Sequence, residues 1–415
     1  MLGFGGWGLD FTFSREEELF REAVRGFLAK KLSPIWESID ENCLIPVDLI
    51  RDMGSQGFFA IPVPEDYGGQ GGTFTMAVIA AEEVGYHDPS MATAVYTLLN
   101  NAWPYIVYLH GSDDVKSELL PLVSSGKAFF GIASTEPQGG SDVAGLRASA
   151  SRENGYYSLW GEKIYISGVR EALEQLDMGG WLLIARTGRV EDKHRGLTAF
   201  AFIAKRDGRI VEGLEYSILK TIGRHGISTG ILTLKGARTP INTVIGGEGR
   251  GFYVAMEGFN IARIMVAAAN LGVARWALEE TIKWSRERVL FDKPIAGFQG
   301  VSFPLAELAV ELEAARLLVY KSAWLADRVY VRREPGLRPG DLAFYAAASK
   351  MKAVETAFKI LETAMKTFGA LSYTKESRIN RALLGVLSYL VGAEGAQNIM
   401  RYIIARELIG REYVK

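Results

Sequence analysis

The sequence has little of what metal and disulfide sites require. Its 415 residues include one cysteine, Cys43, and four histidines without the paired spacing of a metal-binding motif. A single cysteine excludes an intramolecular disulfide and a CxxC metal site, and scattered histidines argue against a histidine-rich metal centre. We therefore predict no metal site, and the scarcity of cysteine fits a reducing compartment such as the cytoplasm.

The sequence also lacks an excess of charge of either sign. Its 47 basic and 48 acidic residues give a net charge of -1 and form no long block of one sign. Proteins that bind nucleic acid or anionic membranes normally carry a basic patch, so we expect neither partner. There is no run of about 18 apolar residues and no signal-peptide pattern at the start. We expect a soluble, cytoplasmic protein.

What the sequence has in quantity is hydrophobic residues, 48% of the chain, enough for the cores of two or three domains. Residues 1–127 have a helical pattern, and Ser14 and Glu17 form a capping box at its start. Residues 128–241 hold short strands rich in β-branched and aromatic residues, which predict an antiparallel β-barrel or sandwich. Residues 242–415 show long amphipathic helices, which predict a four-helix bundle.

The predicted fold is therefore α+β, with an N-terminal all-α domain, a middle β domain and a C-terminal helical bundle. Pro34 is expected to end or kink the first helix. The predicted strands are Tyr156–Trp160, Lys163–Ser167, Trp181–Ala185, Thr198–Ile203 and Gly230–Leu234, and the predicted long helices are Ala262–Arg288, Leu305–Arg332 and Asp341–Phe368.

A glycine-rich segment near the N-terminus has the letters of a dinucleotide-binding motif. Gly3, Gly5 and Gly8 have the GxGxxG spacing, but that motif needs a preceding strand and a following helix whose N-terminus faces the pyrophosphate. Only two residues precede Gly3. We therefore interpret the segment as an N-terminal arm and not as a nucleotide site.

A second glycine-rich segment, Thr135-Glu-Pro-Gln-Gly-Gly-Ser-Asp142, lies beside a predicted strand. The hydroxyls of Thr135 and Ser141 and the bare amides of Gly139 and Gly140 suit a close approach to a planar ring with a polar edge. An ordinary glycine-rich β-turn has the same composition. The residues alone leave both interpretations open.

This segment resembles the Thr-Glu-Pro-x-x-Gly-Ser-Asp signature of the acyl-CoA dehydrogenase family, where it opens the middle β domain and lines the flavin. The resemblance continues in the family's order from about residue 13 to residue 408. One motif would carry little weight, but six in order are specific. The other five are Lys163-Ile-Tyr-Ile-Ser-Gly168, Gly223-Arg-His-Gly-Ile-Ser-Thr-Gly230, Gly246-Gly-Glu-Gly-Arg-Gly-Phe252, Phe259-Asn-Ile-Ala-Arg263 and Arg286-Glu-Arg-Val-Leu-Phe-Asp-Lys-Pro-Ile-Ala-Gly-Phe-Gln299.

A further segment, Glu394-Gly-Ala-Gln-Asn-Ile-Met-Arg401, resembles the family's Glu-Gly-Thr-x-x-Ile-x-Arg, whose glutamate is the catalytic base in most members. From the residues alone, Glu394 is either a buried base with a raised pKa or a helix N-terminal glutamate stabilised by the helix dipole. Some members carry the base at the position of Ala262, and alanine cannot take a proton. The resemblance therefore assigns the base to Glu394. It assigns Arg263 to orienting the substrate and the base, with a structural ion pair as the alternative.

The resemblance implies FAD-dependent α,β-dehydrogenation of an acyl-CoA thioester in fatty-acid metabolism, with an electron-transfer flavoprotein as the acceptor. FAD would lie between the β domain and the helical bundle. Glu394 would take the α-proton while hydride leaves Cβ for flavin N5, and the thioester carbonyl would be polarised by the ribityl hydroxyl and the N–H of Glu394.

The same resemblance implies three groups of site residues. Some reach the FAD of a neighbouring subunit, which implies a homodimer or homotetramer. The implied FAD contacts are Ile132, Ser134, Thr135, Ser141, Tyr165, Ser167, Ala396 and Asn398, those from the neighbouring subunit are Arg288, Phe291, Gln299, Phe368 and Gly369, and the implied substrate contacts are Ser141, Phe259, Asn260, Arg263, Gly395 and Arg401.

Several positions depart from the family pattern. Leu384 and Gly385 stand where the family has Arg-Asp, and Lys366 replaces the glutamine of Gln-x-x-Gly-Gly. Each lost hydrogen bond costs about 1 kcal/mol, so FAD is expected to bind more weakly unless Lys366 or Asp292 compensates. Two alternatives remain open. One is an acyl-CoA oxidase or another flavoenzyme on this fold, since oxygen reactivity depends on access to the flavin. The other is a non-catalytic relative that binds acyl-CoA or assembles with active subunits.

Overall fold

Six helices form the first third of the chain. The structure is a computed structural model that describes residues 12–414, so the Gly3–Gly8 motif lies outside the described residues. The capping box is confirmed, since Ser14 Oγ accepts from the N–H of Glu17 and the Glu17 carboxylate accepts from the N–H of Ser14. The first helix ends at Lys31, before Pro34. The helices are α1 (Arg15–Lys31), α2 (Trp36–Asn42), α3 (Val47–Ser55), α4 (Phe74–His87), α5 (Ala92–His110) and α6 (Asp113–Ser124).

A nine-stranded sheet follows these helices. Its main path runs β6-β5-β4-β2-β3-β8-β7, with β1 paired to β4 and β9 to β5. Within the described residues the path is open, which corresponds to the sandwich form of the prediction and not to a closed barrel. The strands are β1 (Ala128–Ala133), β2 (Ser149–Glu153), β3 (Tyr156–Ser167), β4 (Met178–Arg186), β5 (Leu197–Arg206), β6 (Arg209–Ile210), β7 (Leu214–Ile218), β8 (Thr229–Pro240) and β9 (Val244–Ile245).

The five predicted strands cover only β3, β4, β5 and β8 of the nine, and the sheet differs from the prediction in two further details. The segments predicted as separate strands at Tyr156–Trp160 and Lys163–Ser167 form the single strand β3, because irregularities in its pairing with β8 carry it through the intervening Gly161. Most pairings are antiparallel, but β1 and β2 pair with β4 in parallel. Parallel pairing requires longer connections than a hairpin, and other strands lie between these partners in the sequence.

Helices return after the sheet, as predicted. The first begins at Gly251 and not at Ala262, because Val254 and Ala255 extend its buried side toward the N-terminus. The next ends at Ala326 in a π-helical turn, Asp327–Val331. The elements are α7 (Gly251–Glu287), a hairpin of β10 (Val289–Leu290) and β11 (Lys293–Pro294), α8 (Gln299–Ala326), α9 (Ala343–Phe368), α10 (Arg378–Val391) and α11 (Gln397–Ile409).

The helix α7 is the most apolar long element. Within residues 12–414 it alone has the length and composition that could cross a membrane, and 94% of that stretch is buried inside the protein.

The chain forms two compact units. One contains described residues 12–35, 74–89 and 263–414, and the other contains residues 36–73 and 90–262. The boundary at Ala262 falls inside α7, so the helix contributes to both units. In the first unit α9 packs against α8, α10 and α11. In the second, α5 packs against β1, with Trp103, Trp181 and Phe129 among the largest buried side chains.

A buried ion-pair network holds the first unit together. Glu82 and Glu83 on α4 both have buried side chains, and arginines from three other helices pair with their carboxylates. Arg25 on α1 lies 2.7 Å from Glu83, Arg275 on α7 lies 3.0 Å from Glu83 and 3.3 Å from Glu82, and Arg316 on α8 lies 3.4 Å from Glu82. Buried carboxylates of this kind need such partners, because an unpaired buried charge is strongly destabilising.

Two glycines allow α4 and α7 to cross with their backbones in contact. A Cβ added at Gly272 would lie 1.9 Å from the carbonyl oxygen of Glu82 and 2.6 Å from the amide nitrogen of Tyr86, and one at Gly85 would lie 2.2 Å from the carbonyl oxygen of Ala269. Because these neighbours are backbone atoms, a side chain can be accommodated only if the helices separate.

We therefore expect Gly272→Ala to lower the free energy of unfolding by about 1–3 kcal/mol. The matched control is Gly26→Ala on α1, where an added Cβ meets nothing within 4 Å and alanine is expected to be neutral or stabilising. Chemical denaturation of both variants measures the difference. Equal stability of the two variants would contradict the close crossing.

Candidate active site

The open edge of β1 is the first feature of the site in the second unit. One edge of β1 pairs with β4. At the other edge the N–H of Phe130 donates to Asn100 Oδ1 at 3.0 Å, and strand alternation directs the N–H of Ile132 to the same side. The chain then passes through buried Ser134 and half-buried Thr135. The Thr135 carbonyl accepts from the N–H of Ile164 at 2.9 Å, which joins this loop to β3.

A buried ion pair beneath this loop fixes its position. Lys163 Nζ on β3 donates to Glu136 Oε1 at 2.7 Å and to the carbonyl of Ser134 at 3.0 Å, and both charged side chains are buried. The Glu136 carboxylate also accepts from the N–H groups of Arg147 and Ala148. This role was not predicted from the sequence, although both residues lie in the matched motifs.

The pKa values of both groups are shifted by burial and by their contact. Burial lowers the pKa of Lys163 to about 8, while Glu136 acts to raise it. Burial acts to raise the pKa of Glu136, but the charge and hydrogen bond of Lys163 and the two backbone N–H groups outweigh it and lower that pKa. The contacts of Glu136 therefore stabilise its ionised form.

Tyr165 presents an aromatic ring beside the loop. It lies at an irregularity in the pairing of β3 with β8, has a φ of 60°, and its side chain is 66% exposed. Two residues on, Ser167 is half-buried. Its hydroxyl accepts from Arg224 at 3.4 Å and its carbonyl accepts from Trp181 Nε1 at 3.1 Å. An exposed aromatic residue in a left-handed conformation is costly, and such conformations cluster at binding sites.

The remaining predicted contacts of this unit are more dispersed. Ser141 is exposed on the loop after Thr135, next to Asp142, whose carboxylate accepts from the N–H of Gly145. Phe259 and Asn260 lie on the first part of α7. The Phe259 ring packs edge-on against Trp103 at 5.4 Å, and Asn260 is buried.

The loop that carries Glu394 is the main feature of the first unit. It joins α10 to α11, and three consecutive residues, Ala393, Glu394 and Gly395, have φ values of 42°, 56° and 99°. Glu394 is buried. Left-handed φ values cost a residue other than glycine roughly 1–2 kcal/mol each, so neighbouring groups must hold this backbone in place. The alternative of a helix N-terminal glutamate does not apply, because α11 begins at Gln397.

Two buried cations surround this loop. Arg263 Nε on α7 donates to the carbonyl of Glu394 at 2.9 Å, and burial lowers the pKa of Arg263 to about 10 while Glu394 acts to raise it. Lys350 Nζ on α9 donates to the carbonyl of Gly395 at 2.6 Å. Lys350 was not predicted as a site residue from the sequence. The sequence feature that could have indicated it is that this lysine directly follows four small residues, 346–349, within a predicted helix.

The residues predicted to reach a neighbouring subunit lie in two places, around the β10–β11 hairpin and at the end of α9. Arg288 and Gln299 are exposed, and Phe291 at the turn is 87% exposed with a φ of 51°. Phe368 stacks on Trp284 at 4.9 Å, and Gly369 has a φ of 65°.

The other predicted contacts of this unit lie on α9 and α11 or beside them. Lys366, at a departure from the family pattern, pairs with Glu362 at 2.8 Å. Asn398 and Arg401 are exposed on α11, where Arg401 donates to Glu355, and Ala396 is half-buried.

The residues of the second unit fit an isoalloxazine ring. Such a ring needs N–H donors along its polar edge and flat contact on a face. The open edge of β1 supplies an N–H donor at Ile132. The side chains of Thr135 and Ser167 supply hydroxyls. Tyr165 supplies an exposed aromatic face, one residue from the hydrogen bond between the Ile164 N–H and the Thr135 carbonyl. The Glu136 carboxylate of this loop is paired inward with Lys163, so its charge does not face the edge.

Comparisons with known proteins agree with this geometry. Residues 14–127 match the acyl-CoA dehydrogenase N-terminal domain model and residues 249–409 match the C-terminal domain model. An acyl-CoA dehydrogenase of Bacillus subtilis is 33% identical over 96% of this chain and 99% of its own length.

Two solved structures are also similar along the whole chain. Butyryl-CoA dehydrogenase from Megasphaera elsdenii has a TM-score of 0.86 and 27% identity over 97% of this chain and 100% of its own. A chain from structural work on the electron transferring flavoprotein of Acidaminococcus fermentans has a TM-score of 0.86 and 28% identity, with the same coverage. From these matches and the FAD-compatible loop, the chain belongs to the acyl-CoA dehydrogenase family of FAD-dependent flavoproteins.

Proposed function

We propose that this chain desaturates an acyl-CoA thioester between Cα and Cβ, with Glu394 as the base that takes the α-proton. The observation that carries the proposal is the loop at Glu394, where a buried carboxylate sits on a left-handed backbone whose carbonyl is held by buried Arg263. Strained backbone supported by buried cations is costly and persists where position matters. Similarity to acyl-CoA dehydrogenases along 96% of the chain supports the choice of substrate.

The proposed chemistry assigns distinct tasks to the protein and the cofactor. FAD, when bound, supplies the hydride acceptor. The carboxylate of Glu394 accepts the α-proton, and its backbone N–H is proposed to donate to the thioester carbonyl, where negative charge develops. Arg263 holds the backbone of the base in position. Phe259, Asn260, Ser141, Gly395 and Arg401 are the proposed substrate contacts.

The proposed FAD contacts form two groups, one within a subunit and one from its neighbour. Ile132, Ser134, Thr135, Ser141, Tyr165 and Ser167 would hold the ring system, while Ala396 and Asn398 would hold it from the loop before α11 and from that helix. Arg288, Phe291, Gln299, Phe368 and Gly369 would reach the FAD of another subunit, which supports a homodimer or homotetramer. The support for the second group is Phe291, which is 87% exposed at a left-handed turn, a costly backbone conformation for a large apolar residue.

We also propose the physiological setting. The enzyme would act in fatty-acid metabolism in the cytoplasm, as a homotetramer divided into domains at residues 1–127, 128–241 and 242–415. Electron-transfer flavoprotein would be the acceptor. The low cysteine count supports the compartment, and similarity to a chain from work on an electron transferring flavoprotein supports the acceptor.

We expect the purified protein to be yellow and, once reduced by acyl-CoA, to be reoxidised faster by electron-transfer flavoprotein than by oxygen. Stopped-flow measurement of the flavin absorbance, with a peroxide assay in air, separates the two acceptors. Peroxide formed in proportion to acyl-CoA without an added acceptor would identify an oxidase. Protein that binds no FAD when refolded with excess cofactor would point to the non-catalytic alternative.

A further inference from the structure

Lys350 occupies an unusual position in the first unit. It lies in the middle of α9, and its side chain is fully buried. Its Nζ donates to the carbonyl of Tyr389 at 2.7 Å and to the carbonyl of Gly395 at 2.6 Å, and Gln397 Oε1 lies 3.5 Å away. All three oxygens are neutral. A buried ammonium without a carboxylate in hydrogen-bond contact is costly, so its retention requires a reason.

The three contacts of Lys350 join the segments on both sides of the base. The Tyr389 carbonyl belongs to the last turn of α10, where carbonyls lack partners within the helix. The Gly395 carbonyl follows Glu394 directly. Gln397 opens α11, and its Nε2 donates to the carbonyl of Met351 on α9. Lys350 therefore connects the end of α10, the loop and the start of α11 to one point of α9.

Lys350 and Arg263 act on neighbouring carbonyls of the same loop. Arg263 holds the carbonyl of Glu394, and Lys350 holds that of Gly395. These two residues have the left-handed φ values of 56° and 99°. Each of the two carbonyls is therefore held by its own buried cation. The two cations together fix the peptide planes that orient the Glu394 side chain.

The surroundings of Lys350 also set its charge. Burial and, to a smaller extent, the charge of Arg263 lower the pKa of Lys350 to about 7, although Glu394 acts to raise it. The charged groups that bear on it are thus Arg263 from α7 and Glu394 from the loop. The other elements present neutral groups: α10 the Tyr389 carbonyl, α11 the amide of Gln397, and α8 the hydroxyl of Ser322 beside Ser349. Below that pKa the ammonium lies close enough to favour the ionised form of Glu394.

We propose that Lys350 is a positioning residue for Glu394, which fixes the loop of residues 392–396 through its hydrogen bonds and favours the carboxylate form through its charge. The proposal rests on the proposed role of Glu394 as the base. In this proposal Lys350 acts on the base, through the loop and through its charge, and takes no part in the proton or hydride transfer itself.

Two variants of Lys350 separate its hydrogen bonds from its charge. Lys350→Met keeps the length and removes both, and Lys350→Gln keeps two N–H donors without the charge. We expect Lys350→Met to slow flavin reduction by acyl-CoA about tenfold to a hundredfold and to speed amide hydrogen exchange in residues 389–397. In both variants the acid limb of the pH profile should move about one unit to higher pH, because the nearby positive charge is gone. The matched control is Lys352→Met on the same helix as Lys350, which breaks a partly exposed ion pair with Glu311 on α8.

The outcomes distinguish this proposal from the proposed function. If Glu394→Gln abolishes flavin reduction while both Lys350 variants keep the parent rate, exchange pattern and acid limb, the role of Lys350 is wrong and the base stands. If Glu394→Gln retains flavin reduction, the assignment of the base fails, whatever Lys350 does. If Lys350→Met does not fold, Lys350→Gln decides the question, and an unshifted acid limb in that variant contradicts the proposal.

Discussion

Replacing Glu394 with glutamine is expected to slow flavin reduction by acyl-CoA about a hundredfold to ten-thousandfold, the usual contribution of a general base. Glutamine has nearly the same shape but cannot accept the α-proton. FAD should stay bound, because the fitted ring contacts lie in the second unit, at β1, β3 and the loop after β1. Anaerobic stopped-flow mixing with acyl-CoA measures the rate, and the flavin spectrum before mixing measures FAD content.

The matched control for this substitution is Glu362→Gln. Glu362 is an exposed glutamate on α9 that pairs with Lys366, so its neutralisation should leave the rate unchanged. A Glu394→Gln enzyme that reduces its flavin at the parent rate would exclude Glu394 as the base. Because Ala262 cannot replace it, such a result would require a base that lies outside the family pattern.

The second large effect is expected at the buried ion pair of Lys163 and Glu136, beneath the loop after β1. Lys163→Met leaves the Glu136 carboxylate buried without its cation, which should lower the free energy of unfolding by about 3–5 kcal/mol. The loop after β1 should lose its fixed position, so FAD content should also fall. Thermal unfolding and the ratio of flavin to protein absorbance measure the two effects.

Two further variants test the cause of that loss. Adding Glu136→Gln to Lys163→Met removes the unpaired charge and should restore part of the stability. Lys235→Met breaks an exposed ion pair with Glu215 between β8 and β7, where the expected cost is about 1 kcal/mol or less. If Lys163→Met costs no more than Lys235→Met, the buried pair does not organise the loop.

The local sequence pattern predicted the presence of a helix or strand more accurately than the residues at which it begins and ends. The capping box at Ser14 marked the start of α1 because its two hydrogen bonds join residues three apart. The start of α7 at Gly251 was missed, since the glycines before it are typical of a loop. The joining of two predicted strands into β3 depends on pairing with β8, which begins 62 residues after β3 ends (Ser167 to Thr229). Periodicity within one segment does not contain that information.

The site was predictable where a motif carries the chemistry and unpredictable where a distant contact supports it. The motif around Glu394 indicated a base from the resemblance alone. Nothing in the sequence indicated that Lys350 contacts Gly395, because Lys350 lies on α9 and Gly395 lies in the loop between α10 and α11. The pairing of Glu136 with Lys163 was hidden for the same reason, since the two lie on different elements.

We propose, above all, that this chain carries FAD and uses it to desaturate an acyl-CoA. The most direct measurement is anaerobic incubation of the purified yellow protein with acyl-CoAs of increasing chain length, followed by mass spectrometry of the thioester. We predict bleaching of the flavin with at least one substrate and a product lighter by two hydrogens, in an amount equal to the bound FAD. A fully FAD-loaded protein that binds acyl-CoAs of every length and returns them unchanged would contradict the account.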